Sequence, residues 1–395
     1  MNKVLVFAER VLPSTQTFIP LQVGHLSRYS AVYAGLIPPP DRSYPLAEPP
    51  TLLSDKRNLP SRIRREIYRW TGVAPSFHSR LREIAPSIIH AHFSEGGPAA
   101  LSLSTKLNLP LLLHLRGGAE MHTTSELRDH AFQWPFLLYR ERLWKRASAF
   151  LCVSNFIRER ALANGFPAEK LRVLYTGMKI DAFTPQLPVE QKDPGMVLYV
   201  GRLVPYKGCD YLLRAMQIVR RRFPAAHLVI IGDGSFRTEL ERLNESLDVK
   251  AVFLGEQNQK EIRSWLDRAR VFCAPSLTLA DGMSEAFGNV FSEAQAMGVP
   301  VVSFRHGGIP ETMQDGITGL LADERDTDTL AEHLLRFLTD DGFWSNARRE
   351  GMSWVRDRFL VEKQTAQLER LYDRACEQFC ADRFEQDAVM DDAEL

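Results

Sequence analysis

Short apolar runs, each followed by a polar or glycine-bearing turn, recur along the chain at residues 4–8, 30–36, 88–93, 111–115, 149–154, 196–200, 227–234, 251–255 and 271–275. Runs of this length and punctuation read as buried strands. Between them lie stretches whose apolar residues repeat at helical spacing, such as 18–26 and the Leu330, Leu334, Leu335, Leu338 stripe. Strands that alternate with helices predict parallel sheets and an α/β class. The clearest repeat unit is 271–311. Val271, Phe272, Cys273 and Ala274 are stopped by Pro275, and a polar loop carries Asp281 and Gly282. Phe287, Val290, Phe291, Ala294 and Met297 then recur with a helical period, with Gly298 placed to cap and Pro300 to stop the helix. Residues 299–304 form a second apolar run, and Gly307-Gly308 opens a turn. This is a βαβ unit.

Two carboxylates belong to that unit. Glu285 and Glu293 are separated by seven residues. If one helix carries both, they lie about 12 Å apart along its axis and roughly 80° apart around it. The helix would then present one carboxylate at its N-terminus, where free amides favour phosphate, and another two turns deeper. That layout suits an elongated anionic ligand with a hydroxylated group at each end.

Composition narrows the class. A chain of 395 residues is long for a single core and comfortable for two. A formal net charge of zero gives no global signal for nucleic acid, and no nucleic-acid motif is present. Cys152, Cys209, Cys273, Cys376 and Cys380 form no CxxC pair, which points away from a zinc site or disulfide framework and towards a reducing cytosol. The opening apolar run is too short for a signal peptide, and no stretch reaches membrane-spanning length. A cytoplasmic location follows.

The E-x7-E spacing followed by AMGVPVV and GGIPE resembles the signature of the family-4 retaining glycosyltransferases. That resemblance implies the GT-B fold, two doubly wound Rossmann-like domains facing a cleft, and a nucleotide-sugar donor. It places Glu285 by the donor sugar and diphosphate, and Glu293 on the ribose. Strand, glycine turn and cations in G-R-L-V-P-Y-K-G, residues 201–208, are similar to the family's diphosphate clamp. Gly201 would let backbone approach the phosphate, and Arg202 and Lys207 would supply positive charge. Phe287, Gly288, Asn289 and Gly234 complete the donor-binding set that the resemblance implies. Near the N-terminus, P-S-T-Q-T-F, residues 13–18, stands where relatives carry a loop facing the donor phosphates. Thr17 is the candidate there, with a helix cap as its plainer role.

Two departures stand out in the first half. Ile88-Ile89-His90-Ala91-His92 ends in the family's H-x-H, with His92 as the cleft candidate and His90 as a core residue. Where relatives read H-G-x-D, this chain reads Arg116-Gly117-Gly118-Ala119-Glu120, with His114 two residues before. Histidine shuttles a proton near neutral pH, whereas arginine stays charged and holds anions. Arg116 is therefore expected to clamp a phosphate or carboxylate of donor or acceptor.

The expected organisation is an acceptor-side domain over 1–185, a linker over 186–194 and a nucleotide-sugar domain over 195–355. A terminal helix over 356–380, with a kink near Phe359, returns to the first domain, and an acidic, frayed tail fills 381–395. The basic and aromatic segments 56–70 and 139–146 suit an anionic membrane surface as well as an ordinary solvated face. Asp326-Thr327-Asp328 reads as a helix cap rather than a metal motif. The expected activity is metal-independent, cofactor-free transfer of a hexose to a glycan or lipid-linked acceptor in bacterial surface polysaccharide or glycolipid assembly, at the inner face of the cytoplasmic membrane. The rivals are a nucleotide-sugar epimerase on the same fold and a non-catalytic nucleotide-sugar-binding subunit.

Overall fold

The computed structural model describes residues 1–13, 16–38, 46, 48–129, 131–279 and 282–393, the stretch from 384 onward as backbone alone. Ser14 and Thr15 of the N-terminal loop, Asp281, and Pro39, Pro40 and Pro45 lie outside the described residues. The chain forms two compact units: Met1–Gly177 with Val361–Leu395, and Met178–Leu360.

The first unit holds a parallel sheet of β1 (Asn2–Phe7), β2 (Tyr29–Gly35), β3 (Thr51–Leu52), β4 (Ile88–His92), β5 (Leu111–Leu115), β6 (Ala149–Cys152) and β7 (Leu171–Val173), in the order β3-β2-β1-β4-β5-β6-β7. The second holds β8 (Met196–Val200), β9 (His227–Ile231), β10 (Val252–Phe253), β11 (Val271–Cys273), β12 (Val301–Phe304) and β13 (Gly319–Ala322), in the order β10-β9-β8-β11-β12-β13. Most positions on these strands are apolar and buried, because helices cover both faces. β5, for example, is buried at every position. In each unit the strand order reverses once, beside β1 and β4 in the first and beside β8 and β11 in the second. Loops at the carboxyl ends of the strands flanking such a reversal diverge and leave a crevice, where ligands bind in open α/β sheets.

The segment 186–194 lies inside the second unit rather than between units. The Asp267 carboxylate accepts hydrogen bonds from the amides of Gln186 at 2.8 Å and Leu187 at 2.9 Å, and the Lys192 ammonium donates to the Asp267 carbonyl at 2.7 Å. The terminal helical region breaks at Leu360, between helices Asp341–Phe359 and Val361–Ala393. The second of these packs Leu368, Tyr372 and Ala375 into the core of the first unit, against Val4, Val6 and Ile88. The tail departs from expectation, since its backbone stays helical to Ala393 rather than fraying past residue 381. Phe379, one turn earlier, packs under the Arg146 guanidinium, and Gln378 donates to Asp382 at 2.6 Å. These contacts carry the helix past its apolar stripe.

Candidate active site

In the second unit, the loops after β8 and β11 meet at the strand-order reversal. The β8 loop turns through Pro205–Lys207, and its Tyr206 carbonyl accepts from the Leu277 amide of the β11 loop at 2.8 Å. This contact brings Lys207 onto Glu285. Their ammonium and carboxylate form an ion pair in which each side chain is 16% exposed. Burial opposes ionisation of both groups. The mutual attraction outweighs it, holding the Glu285 carboxyl below the usual carboxylate range and the Lys207 ammonium above its ordinary value. Arg202 is exposed beside them and donates to the Tyr206 hydroxyl at 2.6 Å.

The helix of the βαβ unit begins later than its periodicity predicts. It runs Asn289–Ala296, so Glu285 stands in the loop before it and only Glu293 lies on it. Gly288 supplies the break, with a φ of +90° at the helix N-cap that a side chain would strain against. Phe287 also precedes the helix. Its side chain is 3% exposed and packs edge-on to Phe359 with ring centroids 5.3 Å apart, so only its backbone faces the loop.

A second layer holds the Glu285 backbone. The Glu285 amide donates to His306 Nε2 at 2.9 Å, which makes His306 Nδ1 the protonated nitrogen. That nitrogen donates to Glu324 at 2.7 Å. Glu324 also accepts from the amide and hydroxyl of Thr278, both at 2.9 Å. Burial outweighs the pull of Glu324 and keeps the His306 imidazole neutral to below its ordinary pKa. Gly308 donates its amide to the Glu285 carbonyl at 2.9 Å, and a Cβ on Gly307 would sit 2.2 Å from that carbonyl. The GG turn thus has no room for side chains. Sequence reasoning missed His306, Thr278 and Glu324. The one signal was the position of His306 immediately before Gly307-Gly308.

Glu293 is half-buried and, among the described residues, its carboxylate accepts no hydrogen bond. Burial pushes its pKa up to about 7, with Arg263 opposing. Gly201 and Gly234 sit where the β8 and β9 loops touch: Gly201 donates to the Ile231 carbonyl at 3.0 Å, and Leu203 to the Asp233 carbonyl at 2.9 Å. Asp326 caps the helix Thr327–Thr339 by accepting from Thr329 at 2.9 Å.

The first unit gathers a different set. Thr17 stands at the N-cap of helix Phe18–Val23, exposed, without a side-chain cap bond. Tyr372 donates to His90 Nδ1 at 2.7 Å, so His90 Nε2 carries the proton shared with His114 Nδ1 at 3.3 Å. His92 stacks on both rings and is buried, with neither ring nitrogen partnered. Burial holds all three imidazoles neutral, His90 down to about 3. One nitrogen from each ring falls within 4.8 Å of the others, close enough to suggest a metal. The rings lie within 35° of parallel, and Arg116 donates to His114 Nδ1 at 3.3 Å, so the lone pairs do not converge on one point.

Arg116 lies over the Phe18 ring at 4.5 Å and donates to Gln22 and Thr176, each at 3.3 Å. Among the described residues no carboxylate pairs with it, and burial brings its pKa down to about 9. Glu120 secures the loop that follows, accepting from the Ser94 hydroxyl at 2.5 Å and the Gly117 amide at 2.7 Å.

This geometry has counterparts among known proteins. Residues 183–353 match the family profile described as glycosyl transferases group 1, and residues 36–182 match that of glycosyltransferase family 4. The chain is 31% identical over 258 residues to the amylovoran biosynthesis glycosyltransferase AmsK of Erwinia amylovora; the match covers 65% of this chain and 62% of AmsK. It is 32% identical over 271 residues to a GDP-mannose-dependent alpha-(1-6)-phosphatidylinositol monomannoside mannosyltransferase of Mycolicibacterium smegmatis, covering 65% of this chain and 71% of that one. Among solved structures, Anabaena HepE in complex with UDP superposes with a TM-score of 0.73 at 18% identity, covering 95% of this chain and 100% of HepE. Sucrose-phosphate synthase from Thermosynechococcus elongatus superposes at 0.71 and 19%, covering 95% of this chain and 99% of the synthase. The fold is GT-B.

Proposed function

The chain belongs to the family-4 glycosyltransferases, and from that premise we propose that it moves a hexose-type residue from a nucleoside diphosphate sugar to a glycan or lipid-linked acceptor, with retention of configuration. The observation that carries this reading is the Lys207–Glu285 ion pair at the strand-order reversal of the second unit. When the bond from the sugar's anomeric carbon to the diphosphate breaks, negative charge grows on the departing phosphate. Lys207 and Arg202 lie ready to stabilise it, and a cation fixed before the reaction costs no reorganisation during it. Glu285 is ionised, so it can accept a sugar hydroxyl while it positions Lys207. The amides of Phe287, Gly288 and Asn289 face the phosphate, Gly201 and Gly234 allow close backbone approach, and Glu293 takes the ribose hydroxyls. In the first unit, Arg116 holds an anionic group of donor or acceptor, with exposed Thr17 next to the Phe18 ring it covers and buried His92 behind it, stacked on His114. The fixed cations do the work of a metal, and no covalent nucleophile or cofactor is assigned.

The relatives support the donor class. One is GDP-mannose-dependent and one structural neighbour binds UDP. AmsK acts in amylovoran biosynthesis, which supports a polysaccharide or glycolipid setting. An epimerase on the same fold would turn over donor with no acceptor present, and a binding subunit would turn over nothing. A thermal-shift screen of nucleoside diphosphate sugars in EDTA separates donor binding from its absence. A shift for one donor, lost in Lys207→Ala and Glu293→Ala, is the expected result. No shift with any donor or free nucleotide would overturn the assignment.

The acceptor side includes a membrane. Among the described residues no helix is long and apolar enough to cross one. Helix Leu59–Thr71 nevertheless exposes Leu59, Ile63, Ile67 and Trp70, at i, i+4, i+8 and i+11, and Arg62, Arg64 and Arg65 flank this face. The Tyr139 hydroxyl donates to the Trp70 carbonyl at 2.6 Å, joining this face to helix Trp134–Arg146, where Trp134 and Leu138 are also exposed. An apolar stripe edged with arginine suits the headgroup region of an anionic bilayer, where the enzyme would meet a lipid-linked acceptor from the cytoplasmic side.

A further inference from the structure

The first unit has a concave site at the amino ends of β6 and β7, at the other end of the strands from the loops that carry His92 and Arg116. Its volume is about 420 Å³. One wall is the face of the terminal helix that presents Leu371, Arg374, Ala375, Gln378, Phe379, Asp382 and Arg383. Lys145 and Arg146 form the second wall, and Lys170 and Arg172 the third.

The charge here is one-sided. Six cations line the cavity against one carboxylate, an excess of five, in a chain whose formal charge is zero. The cations at the floor touch only neutral acceptors. Arg146 donates to the Ser104 hydroxyl at 2.9 Å and to the Ser104 carbonyl at 3.0 Å, and Lys170 to the carbonyls of Trp144 and Lys145, both at 2.8 Å. Burial lowers the pKa of both groups, in Lys170 against the pull of Glu169 and Asp382, which marks charge that is partly desolvated. Among the described residues, Lys145, Arg172, Arg374 and Arg383 form no ion pair. Asp382, the single acid, already accepts from Gln378. Like charges gathered on a concave surface repel one another, and the arrangement is relieved by an anion that several can share. Phe379, Leu371 and Ala375 add an apolar strip to the lining.

We propose that this cavity binds a phosphorylated ligand with a carbon skeleton, such as a sugar phosphate or a phospholipid headgroup, at a site separate from the donor site. Several converging cations favour two or more phosphate charges over one. The apolar strip leaves a surface for a ring or glycerol backbone beside the phosphates, which alone are enough to bind.

The test uses the full chain. Because the donor site would also take a diphosphate, pyrophosphate is titrated calorimetrically into Lys207→Ala and into the same protein carrying Arg374→Glu and Arg383→Glu, two exposed positions. Pyrophosphate should still bind the first protein and bind the second at least about tenfold more weakly, a change of roughly 1.4 kcal/mol. Lys145→Glu is an independent second variant, and an unchanged far-UV spectrum confirms folding. Co-sedimentation with phosphatidylcholine vesicles, with and without phosphatidylglycerol, identifies the source. Binding to anionic vesicles that excess pyrophosphate releases, and that the charge reversals weaken, assigns the phosphate to a headgroup. Pyrophosphate binding with unchanged sedimentation assigns it to a soluble ligand. If Lys207→Ala abolishes pyrophosphate binding, or the reversals leave it unaltered, the proposal is wrong.

Discussion

Lys207 and Glu285, 78 positions apart in sequence, are joined as an ion pair between the two loops that flank the strand-order reversal of the second unit. Removing either partner leaves the other charge half-buried and alone. Glu285→Ala and Lys207→Ala should each destabilise the protein by about 2 kcal/mol, and the double variant should cost less than their sum. Each should lower kcat/KM by about 10²-fold or more, since in the proposed reaction both act on charge that develops as the donor breaks. Urea melts and initial rates check this. Full activity in Glu285→Ala would remove Glu285 from the site.

Glu293 gives a proton signal. Its folded pKa of about 7 lies above the ordinary 4.5, so the native state holds the proton more tightly than the unfolded chain does. The stability tied to that proton is fully present below pH 4.5 and is lost as pH rises through 7. Glu293→Gln should therefore raise Tm at pH 8, by about 4 °C, and change it little at pH 4.5. A ribose diol that donates to the carboxylate favours its ionised form. Nucleotide binding near pH 6.5 should then release a proton, visible as a buffer-dependent enthalpy in calorimetry. A buffer-independent enthalpy would place the ribose elsewhere.

His306 acts through the backbone of Glu285. In His306→Ala the Glu285 amide loses its acceptor and Glu324 a donor. Turnover should fall about tenfold or more with KM for donor nearly unchanged, because the loop loses its aim while the diphosphate contacts persist. Equal losses in His306→Ala and in an unrelated variant of matched Tm would show that His306 serves only stability.

The stacked histidines of the first unit make it acid-labile. His90, His92 and His114 have folded pKa values depressed below the ordinary 6.5, so the unfolded chain binds more protons. Their contribution is present above pH 6.5 and is lost as pH falls towards the folded values. Thermal melts from pH 7 to 5 should show a steep loss of Tm, and His92→Leu, which removes a ring with no partner for either nitrogen, should flatten it. An unchanged slope would mean that these rings are already charged in the folded state.

The exposed stripe predicts membrane affinity apart from the basic cavity. Ile63→Ser with Ile67→Ser should reduce sedimentation with anionic vesicles severalfold while leaving thermal stability within about 0.5 kcal/mol. A concentration-dependent monomer–dimer equilibrium abolished by the same change would instead assign the stripe to a second copy of the chain.

Much of this was legible in the sequence because it is local. The strands declared themselves as apolar runs, and the Lys207 turn and Glu285 loop are contiguous motifs. The helix start was misread because the apolar period runs through Phe287, whose burial comes from Phe359, 72 positions later, and not from the helix face. Residues 186–194 carry linker-like prolines and charges, yet Asp267 gathers their amides from far along the chain. The Thr278–His306–Glu324 network was invisible for the same reason. Each member looks ordinary until folding puts it beside the others.

The second unit begins at Met178 and ends at Leu360, and these two residues form a parallel bridge, with the Met178 amide donating to the Phe359 carbonyl at 2.7 Å. Its entrance and exit are thus neighbours. Topologically it is an insert in a host chain that resumes at Val361 with its own closing helix. Such an insert can be lifted out at a single seam and replaced by another with the same spacing at its mouth. If the second unit holds the donor, as proposed, evolution could trade the sugar such a protein uses without rewriting the rest of the chain, and a chimaera cut at 177/178 and 360/361 would do the same at the bench.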